Sequence, residues 1–248
     1  MHESLQTGMR KLRLSGMLES LDLRLQEANG NGLTHGEFLE LIIQDELDIR
    51  RQRLMSRRRK IANFREQKTL EDFDWSFNKS IDRKLLFELG SCKFLKEGRD
   101  VLFVGPPGVG KSHLCQAIGL QAIRQGHTVY YRSIFDVVRD FLKAENLGED
   151  EKVLGRYLKP ELLVIDDMGM KQLPKRSGEY LFEVIMRRHQ NRSTVMTSNR
   201  PIEEWGKLLQ DVPSATAILD RFLSEAQIIS IQGKSYRLKQ RQLEASNG

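Results

Sequence analysis

Gly105-Pro106-Pro107-Gly108-Val109-Gly110-Lys111-Ser112 is the stretch on which the fold turns. It satisfies the pattern G-x-x-x-x-G-K-[ST], and it stands where that pattern has meaning, after the apolar run Val101 to Val104 and before a helical one. Glycines let the backbone bend until successive N–H groups converge on phosphate oxygens, at the positive end of the following helix. In such a loop Lys111 reaches the β and γ phosphates of ATP, and Ser112 holds Mg²⁺. Gly105, Pro106, Pro107, Gly108, Val109, Gly110, Lys111, Ser112 and the adjoining His113 are therefore the candidate nucleotide-binding set. A plain Gly-rich turn accounts for the glycines and leaves Lys111-Ser112 unexplained.

Working outward, Leu162-Leu163-Val164-Ile165 leads into Asp166-Asp167, an apolar strand ending in two acids. Open α/β sheets bind ligands at the carboxyl ends of their strands, so Asp166 is the candidate anchor for Mg²⁺ and Asp167 the candidate group that polarises the attacking water. The competing reading is an acid pair that caps a strand in a turn. Asp167 is one methylene shorter than Glu, which favours slow or partner-dependent hydrolysis. Thr194 to Thr197 forms a neighbouring strand that ends at Ser198-Asn199, where Asn199 could meet the γ-phosphate or simply make a turn. Ile218, Leu219, Phe222 and Leu223 share one helical face, which leaves Arg221 pointing away, either to a surface carboxylate or to a catalytic task.

Five short β-rich runs, 101–104, 128–131, 162–165, 194–197 and 228–231, alternate with helical patterns such as Ile134, Val138, Phe141, Leu142 and Leu181, Val184, Ile185. Strands buried on both faces and alternating with helices predict an α/β fold with a central parallel sheet. Residues 1–68 carry no convincing strand and are expected to form a small all-helical domain; residues 69–248 form the α/β domain. Leu14, Met17, Leu18, Leu21 and Leu25 recur at helical spacing, Asn29-Gly30-Asn31-Gly32 predicts a break, and Thr34 with Glu37 has the spacing of a capping box. The connector 69–81 carries Phe73, Trp75 and Phe77, and its Phe73 region is where an adenine contact is expected.

Forty basic residues against 34 acidic leave +6. Their distribution is uneven. Arg50, Arg51, Arg53, Arg57, Arg58, Arg59, Lys60, Arg65 and Lys68 stand in one segment with a single acid, Glu66, so the rest of the chain is slightly acidic. Such concentration predicts a polyanion surface, with Arg50, Arg51, Arg53, Arg57, Arg58, Arg59 and Lys60 meeting duplex DNA through its phosphates. The competing reading is a solvated helix face. Lys171, Lys175 and Arg176 could add a DNA contact or form an exposed basic loop. Hydrophobic residues at 39% and charged ones at 30% exclude wholesale disorder, and no apolar run approaches the roughly 20 residues of a membrane span. Two cysteines cannot build a disulfide framework, and residues 1–25 lack the apolar block of a secretion signal, so the cytoplasm is expected.

The motifs together, GPPGVGKS, LLVIDDMG, TSNRP, AILDRF and GKSYRLK, along with LRLSGMLESLDLRL and DFDWSFNKSID near the start, resemble the IstB-like ATP-binding proteins. These are transposition helpers of the AAA+ class, close in sequence to DnaC-type helicase loaders, and the likeness spans nearly the whole chain. The resemblance implies an ATPase that forms a ring or helical homo-oligomer on duplex DNA and works beside a separate transposase. It also implies Asn199 as sensor of the γ-phosphate, Arg221 as an arginine finger reaching a neighbouring subunit's nucleotide, and Arg237 as a second sensor. Three rivals remain open: a helicase loader, a P-loop kinase of small molecules, and a DNA-bound scaffold switched by nucleotide. A loader's partner-gripping N-terminal helix is expected to show an apolar stripe, whereas a basic run dominates here.

Overall fold

A computed structural model describes residues 3–170 and 172–239; Lys171 lies outside the described residues. The chain divides into two compact units, 1–57 and 58–248. The division falls inside a helix, so residues 58–68, expected with the first domain, group with the second.

The first unit is helical: α1 (Glu3–Lys11), α2 (Ser15–Asn31) and the greater part of α3 (His35–Ala62). Leu14, at the N-cap of α2, has no side chain able to accept a hydrogen bond. Glu46 of α3 supplies the missing cap, its buried carboxylate accepting from Gly16 N at 2.6 Å and Met17 N at 3.1 Å. A Cβ on Gly16 would come within 2.8 Å of Glu46 Cα, so this close approach requires glycine. The predicted capping box forms: Thr34 N donates to Glu37 Oε2 at 2.8 Å and Glu37 N donates to Thr34 Oγ1 at 3.3 Å, which starts α3. The predicted break is narrower than its sequence. Helix α2 continues through Asn29, Gly30 and Asn31, and only Gly32, at φ 66°, turns left-handed to end it.

The second unit contains α4 (Arg83–Gly90), α5 (Lys93–Lys96), β1 (Val101–Val104), α6 (Lys111–Arg124), β2 (Val129–Ser133), α7 (Ile134–Leu147) and α8 (Asp150–Leu158). There follow β3 (Leu162–Met168), α9 (Ser177–Arg188), β4 (Ser193–Ser198), α10 (Trp205–Leu209), α11 (Val212–Glu225) and β5 (Gln227–Ser230). All five predicted strands are present, and every pairing is parallel in the order β2-β3-β4-β1-β5. Alternation along each strand divides the core. Val101 and Phe103 of β1 and Val164 of β3 pack with Leu114, Ala117 and Ile118 of α6; Leu102, Leu163 and Ile165 pack with α7, α9 and α11. The expected parallel α/β sheet is thus a layer between two sets of helices.

Two consequences position the site. Chain order reverses across β1, which lies between β4 and β5, so the loop after β1 opens at a switch point of the sheet. The β3–β4 ladder also skips from Ile165↔Met196 to Met168↔Ser198, which leaves Asp166 and Asp167 opposite Thr197 alone, in a bulge. Without it two consecutive acids would face opposite sides of the sheet. Among the described residues no helix is long and apolar enough to cross a membrane.

Candidate nucleotide site

The loop between β1 and α6 is built to exclude side chains. A Cβ on Gly105 would lie 2.1 Å from Ile231 O, one on Gly108 2.1 Å from Ser235 Oγ, and one on Gly110 2.7 Å from the Phe73 ring. Gly108 and Gly110 also have φ of 83° and 106°, where residues with a Cβ are strained. The C-terminal segment closes on the loop from outside, Tyr236 N donating to Gly108 O at 2.9 Å. Among the described residues the N–H groups of Gly108, Val109 and Gly110 have no acceptor, and the first amides of α6 have none within their own helix. That row of open donors at a helix N-terminus fits a polyphosphate. Lys111, 5% exposed, donates through Nζ to Gly105 O at 2.7 Å and Pro106 O at 2.8 Å. Burial lowers its pKa to about 8, against the pull of Asp166 and Asp167.

Asp166, 1% exposed, is held on all sides. Its Oδ1 accepts from Ser112 Oγ at 3.0 Å, from Asp167 N at 2.9 Å and from Thr197 Oγ1, and its Oδ2 accepts from the Tyr131 hydroxyl. Ser112 Oγ and the Asp166 carboxylate are two hard oxygen ligands side by side, which fits Mg²⁺, an ion that takes one or two protein oxygens and completes its shell with phosphate and water. Among the described residues no cluster of three or more His, Cys, Asp or Glu forms a self-sufficient metal cage.

Asp167 has φ 68°, a conformation Asp tolerates better than most residues, and its N–H is shared between Asp166 Oδ1 and Thr197 Oγ1. Its carboxylate accepts from Arg65 Nη1 at 2.8 Å. Burial raises its pKa, the neighbouring Asp166 adds to the rise, and Arg65 and Arg237 oppose it. Arg237 is therefore close enough to act by charge on Asp167 and on Lys111, from the same chain. Asn199 directly follows β4, the strand between those of the loop and the acids; it is half-buried and its N–H donates to Met168 O at 2.8 Å. His113 leans on the connector, its Nε2 2.7 Å from Thr69 O and its ring edge-on to Phe73 at 5.1 Å. Arg221 is exposed on α11, at the flank of the face that buries Ile218 and Phe222, with no ion pair among the described residues. It is not among the main charges acting on Lys111 or Asp167.

The basic run is less uniform than its composition. Arg50 pairs with Glu46 at 2.6 Å, Arg51 with Asp48 at 3.5 Å and Arg53 with Glu19 at 2.8 Å, so that, with Asp167 on Arg65, acids outside the segment answer four of its charges. This corrects the expectation of an unneutralised face. Arg57, Arg58, Arg59 and Lys60 make no ion pair among the described residues. Arg176 is answered by Glu145 and Glu179, while Lys175 is exposed. A second correction concerns the apolar stripe: α3 exposes Leu39, Ile43, Leu47, Leu54 and Ile61, which fall within one quadrant of the helix.

Sequence reasoning missed Tyr131, Thr197 and Arg65. Tyr131 and Thr197 were read as ordinary strand residues; a hydroxyl near the end of an apolar strand was the available signal. Arg65 was counted with the basic run.

Comparison with known proteins agrees with this geometry. The model of the family described as "IstB-like ATP binding protein" matches residues 7–244. The ATP-binding protein of insertion sequence IS5376 from Geobacillus stearothermophilus is 34% identical over 244 residues, covering 98% of this chain and 97% of the relative. That of IS21 from Pseudomonas aeruginosa is 34% identical over 241 residues, covering 97% and 91%. Among solved structures, the DnaC helicase loader aligns with a TM-score of 0.54 at 25% identity, over 62% of this chain and 91% of that one. AMPPCP-bound DnaA from Aquifex aeolicus aligns with a TM-score of 0.55 at 23% identity, over 68% and 51%, a likeness of fold. The fold is that of the AAA+ P-loop proteins.

Proposed function

Because the chain belongs to the IstB-like ATP-binding protein family, we propose that it hydrolyses ATP as a transposition helper. Copies assemble on duplex DNA, prepare or select it as a target, and act with a separate transposase. The observation that carries this reading is the convergence of Lys111, Ser112, Asp166 and Asp167 at the carboxyl ends of β1 and β3, which flank β4.

The loop amides take the phosphate oxygens of ATP, and Lys111 exchanges its two carbonyl partners for the β and γ phosphates. Mg²⁺, held by Ser112 Oγ and Asp166, would neutralise charge that develops on the phosphates during transfer. Tyr131 and Thr197 keep the Asp166 carboxylate in one orientation. Asp167 polarises the attacking water, and the raised affinity of its carboxylate for a proton suits it to that work. Asn199 meets the γ-phosphate from between the loop and the acids, and Arg237 supplies a cation from the same chain. Arg221, exposed and without an ion pair among the described residues, acts on the nucleotide of the next copy. Such a head-to-tail contact generates a ring or a helical filament. Arg57, Arg58, Arg59 and Lys60, with the partly neutralised Arg50, Arg51 and Arg53, hold DNA by its phosphates without reading sequence.

The test combines turnover with imaging. Duplex DNA should raise ATP hydrolysis, and ordered rings or spirals should form on DNA with a non-hydrolysable analogue. Arg221→Ala should keep nucleotide affinity while losing both turnover and assembly; equal rates in the two proteins would refute an intersubunit finger. A second reading, a helicase loader, is favoured by the exposed stripe Leu39, Ile43, Leu47, Leu54 and Ile61. Stable capture of a replicative helicase through that stripe, with no response to DNA, would favour it.

A further inference from the structure

Arg200, one residue beyond Asn199, is half-exposed and pairs with Glu204 at 2.7 Å, a contact that by itself makes a surface ion pair of small worth. Its other contact is different in kind. Nε donates to Gly169 O at 3.0 Å, inside the turn that follows the two acids. That turn holds two left-handed residues, Asp167 at φ 68° and Gly169 at φ 88°, and a left-handed residue with a side chain persists only where its surroundings hold it. On one side Asp166 and Thr197 take the N–H of Asp167. On the other, the turn after β4 grips twice: Asn199 N donates to Met168 O at 2.8 Å, and Arg200 Nε to Gly169 O. The approach is close. A Cβ at residue 169 would lie 2.9 Å from Arg200 Cγ and 3.2 Å from its backbone N, so glycine there makes room for the arginine stem.

Arg200 is itself fixed from beneath. Ser198 Oγ accepts from Arg200 N at 3.2 Å, donates to Arg200 O at 2.7 Å and accepts from the indole of fully buried Trp205 at 3.2 Å. Ser198 O in turn takes the N–H of Gly105, the first residue of the phosphate loop, at 3.1 Å. The ends of β1, β3 and β4 are thus joined through residues 198–200. A guanidinium suits this joint, because Nε–H reaches the carbonyl while Nη1 stays with Glu204, and lysine has no donor at the Nε position.

We propose that Arg200 is a positioning residue, a clasp that sets the separation of the Asp167 carboxylate and the Asn199 side chain across the third phosphate of ATP. The inference rests on the hydrolysis reading above. Separation matters because water is aligned on that phosphate by one residue while the other holds its oxygens, and a displacement of about 1 Å costs such a reaction up to about 100-fold.

The experiment measures steady-state turnover by the full chain, with calorimetric affinities for ADP and for a non-hydrolysable ATP analogue, in wild type, Arg200→Lys, Arg200→Ala, Asn199→Ala and the double variant Asn199→Ala with Arg200→Lys. Arg200→Lys keeps the charge and the stem beside Gly169 and loses the Nε–H. It should lower kcat about 10-fold, weaken the analogue about fivefold, the worth of one hydrogen bond, and leave ADP affinity within about twofold. Arg200→Ala should lose at least as much; if it melts below the assay temperature, Arg200→Lys carries the test. In the Asn199→Ala background Arg200→Lys should no longer weaken the analogue, because the two residues act through one contact. Unchanged kcat in Arg200→Lys overturns the clasp, since charge alone then suffices. Equal losses of ADP and analogue affinity overturn it too, making Arg200 a general support of the loop, as does an undiminished loss of analogue affinity in the double variant. No turnover in wild type, or full activity in Asn199→Ala, overturns the reading of the site on which the clasp rests. An active wild type, an impaired Asn199→Ala and an unchanged Arg200→Lys overturn the clasp alone.

Discussion

The phosphate loop and the basic run are both short segments with strong sequence signals, and folding treats them in opposite ways. In the loop each residue type answers a local demand: three glycines face atoms that leave no room for a Cβ, and Lys111 lies under its own loop's carbonyls. In the run the charges are answered by acids outside it, Glu46 and Asp48 one turn back along α3 and Glu19 and Asp167 far off in sequence. A spaced motif specifies a backbone shape, and so survives folding as read. A charge count over a window omits whatever acids the fold delivers to it, so it predicts a surface only after those acids are subtracted.

The comparison breaks first at Lys111. Lys111→Ala should weaken ATP affinity by about 100-fold or more, on the order of 3 kcal/mol, because a buried charged donor to the phosphates is lost. Calorimetry on the purified chain measures it, and unchanged affinity would reduce the loop to a structural turn. A smaller effect separates the two ends of the basic run. Changing Arg57, Arg58 and Arg59 to Gln should flatten the log–log salt dependence of duplex DNA affinity by up to about 0.9 per lost phosphate contact. The same change at Arg50, Arg51 and Arg53 should flatten it less, since carboxylates already hold these guanidiniums, and should lower thermal stability slightly. Equal slopes would mean that the ion pairs of α3 open freely on DNA. The smallest effect is on pH. With its pKa lowered to about 8, Lys111 is charged below that value, and nucleotide affinity should be flat there. Above it binding must take up a proton, so affinity should fall by as much as tenfold per pH unit. A flat profile through pH 9 would place the phosphates elsewhere.

Much of the α/β unit was legible. Each of the five strands lies where its β-rich run predicted: β1, β3 and β4 because a strand covered on both faces must be apolar throughout, and the edge strands β2 and β5, buried only in part, because β-branched and aromatic residues still mark them. The Thr34–Glu37 cap was legible for the same local reason. Gly30 was misread, since a glycine that costs a helix about 1 kcal/mol is tolerated when the surrounding turns hold. The apolar stripe of α3 was hidden by the arginines that share its helix, and finding it requires knowing which face is left uncovered.

The candidate site divides along the same line. Residue types and their spacing determined the phosphate loop, the strand that delivers Asp166 and Asp167, and the neighbouring position of Asn199, since each expresses a constraint on a few consecutive peptide units. Only the tertiary structure decided that a bulge turns both acids toward the loop, that Tyr131 and Thr197 clamp the first, and that Arg65 reaches the second. These contacts join residues 31 to 102 positions apart, and hydrogen bonds over such separations depend on strand order and register, which no window of sequence contains.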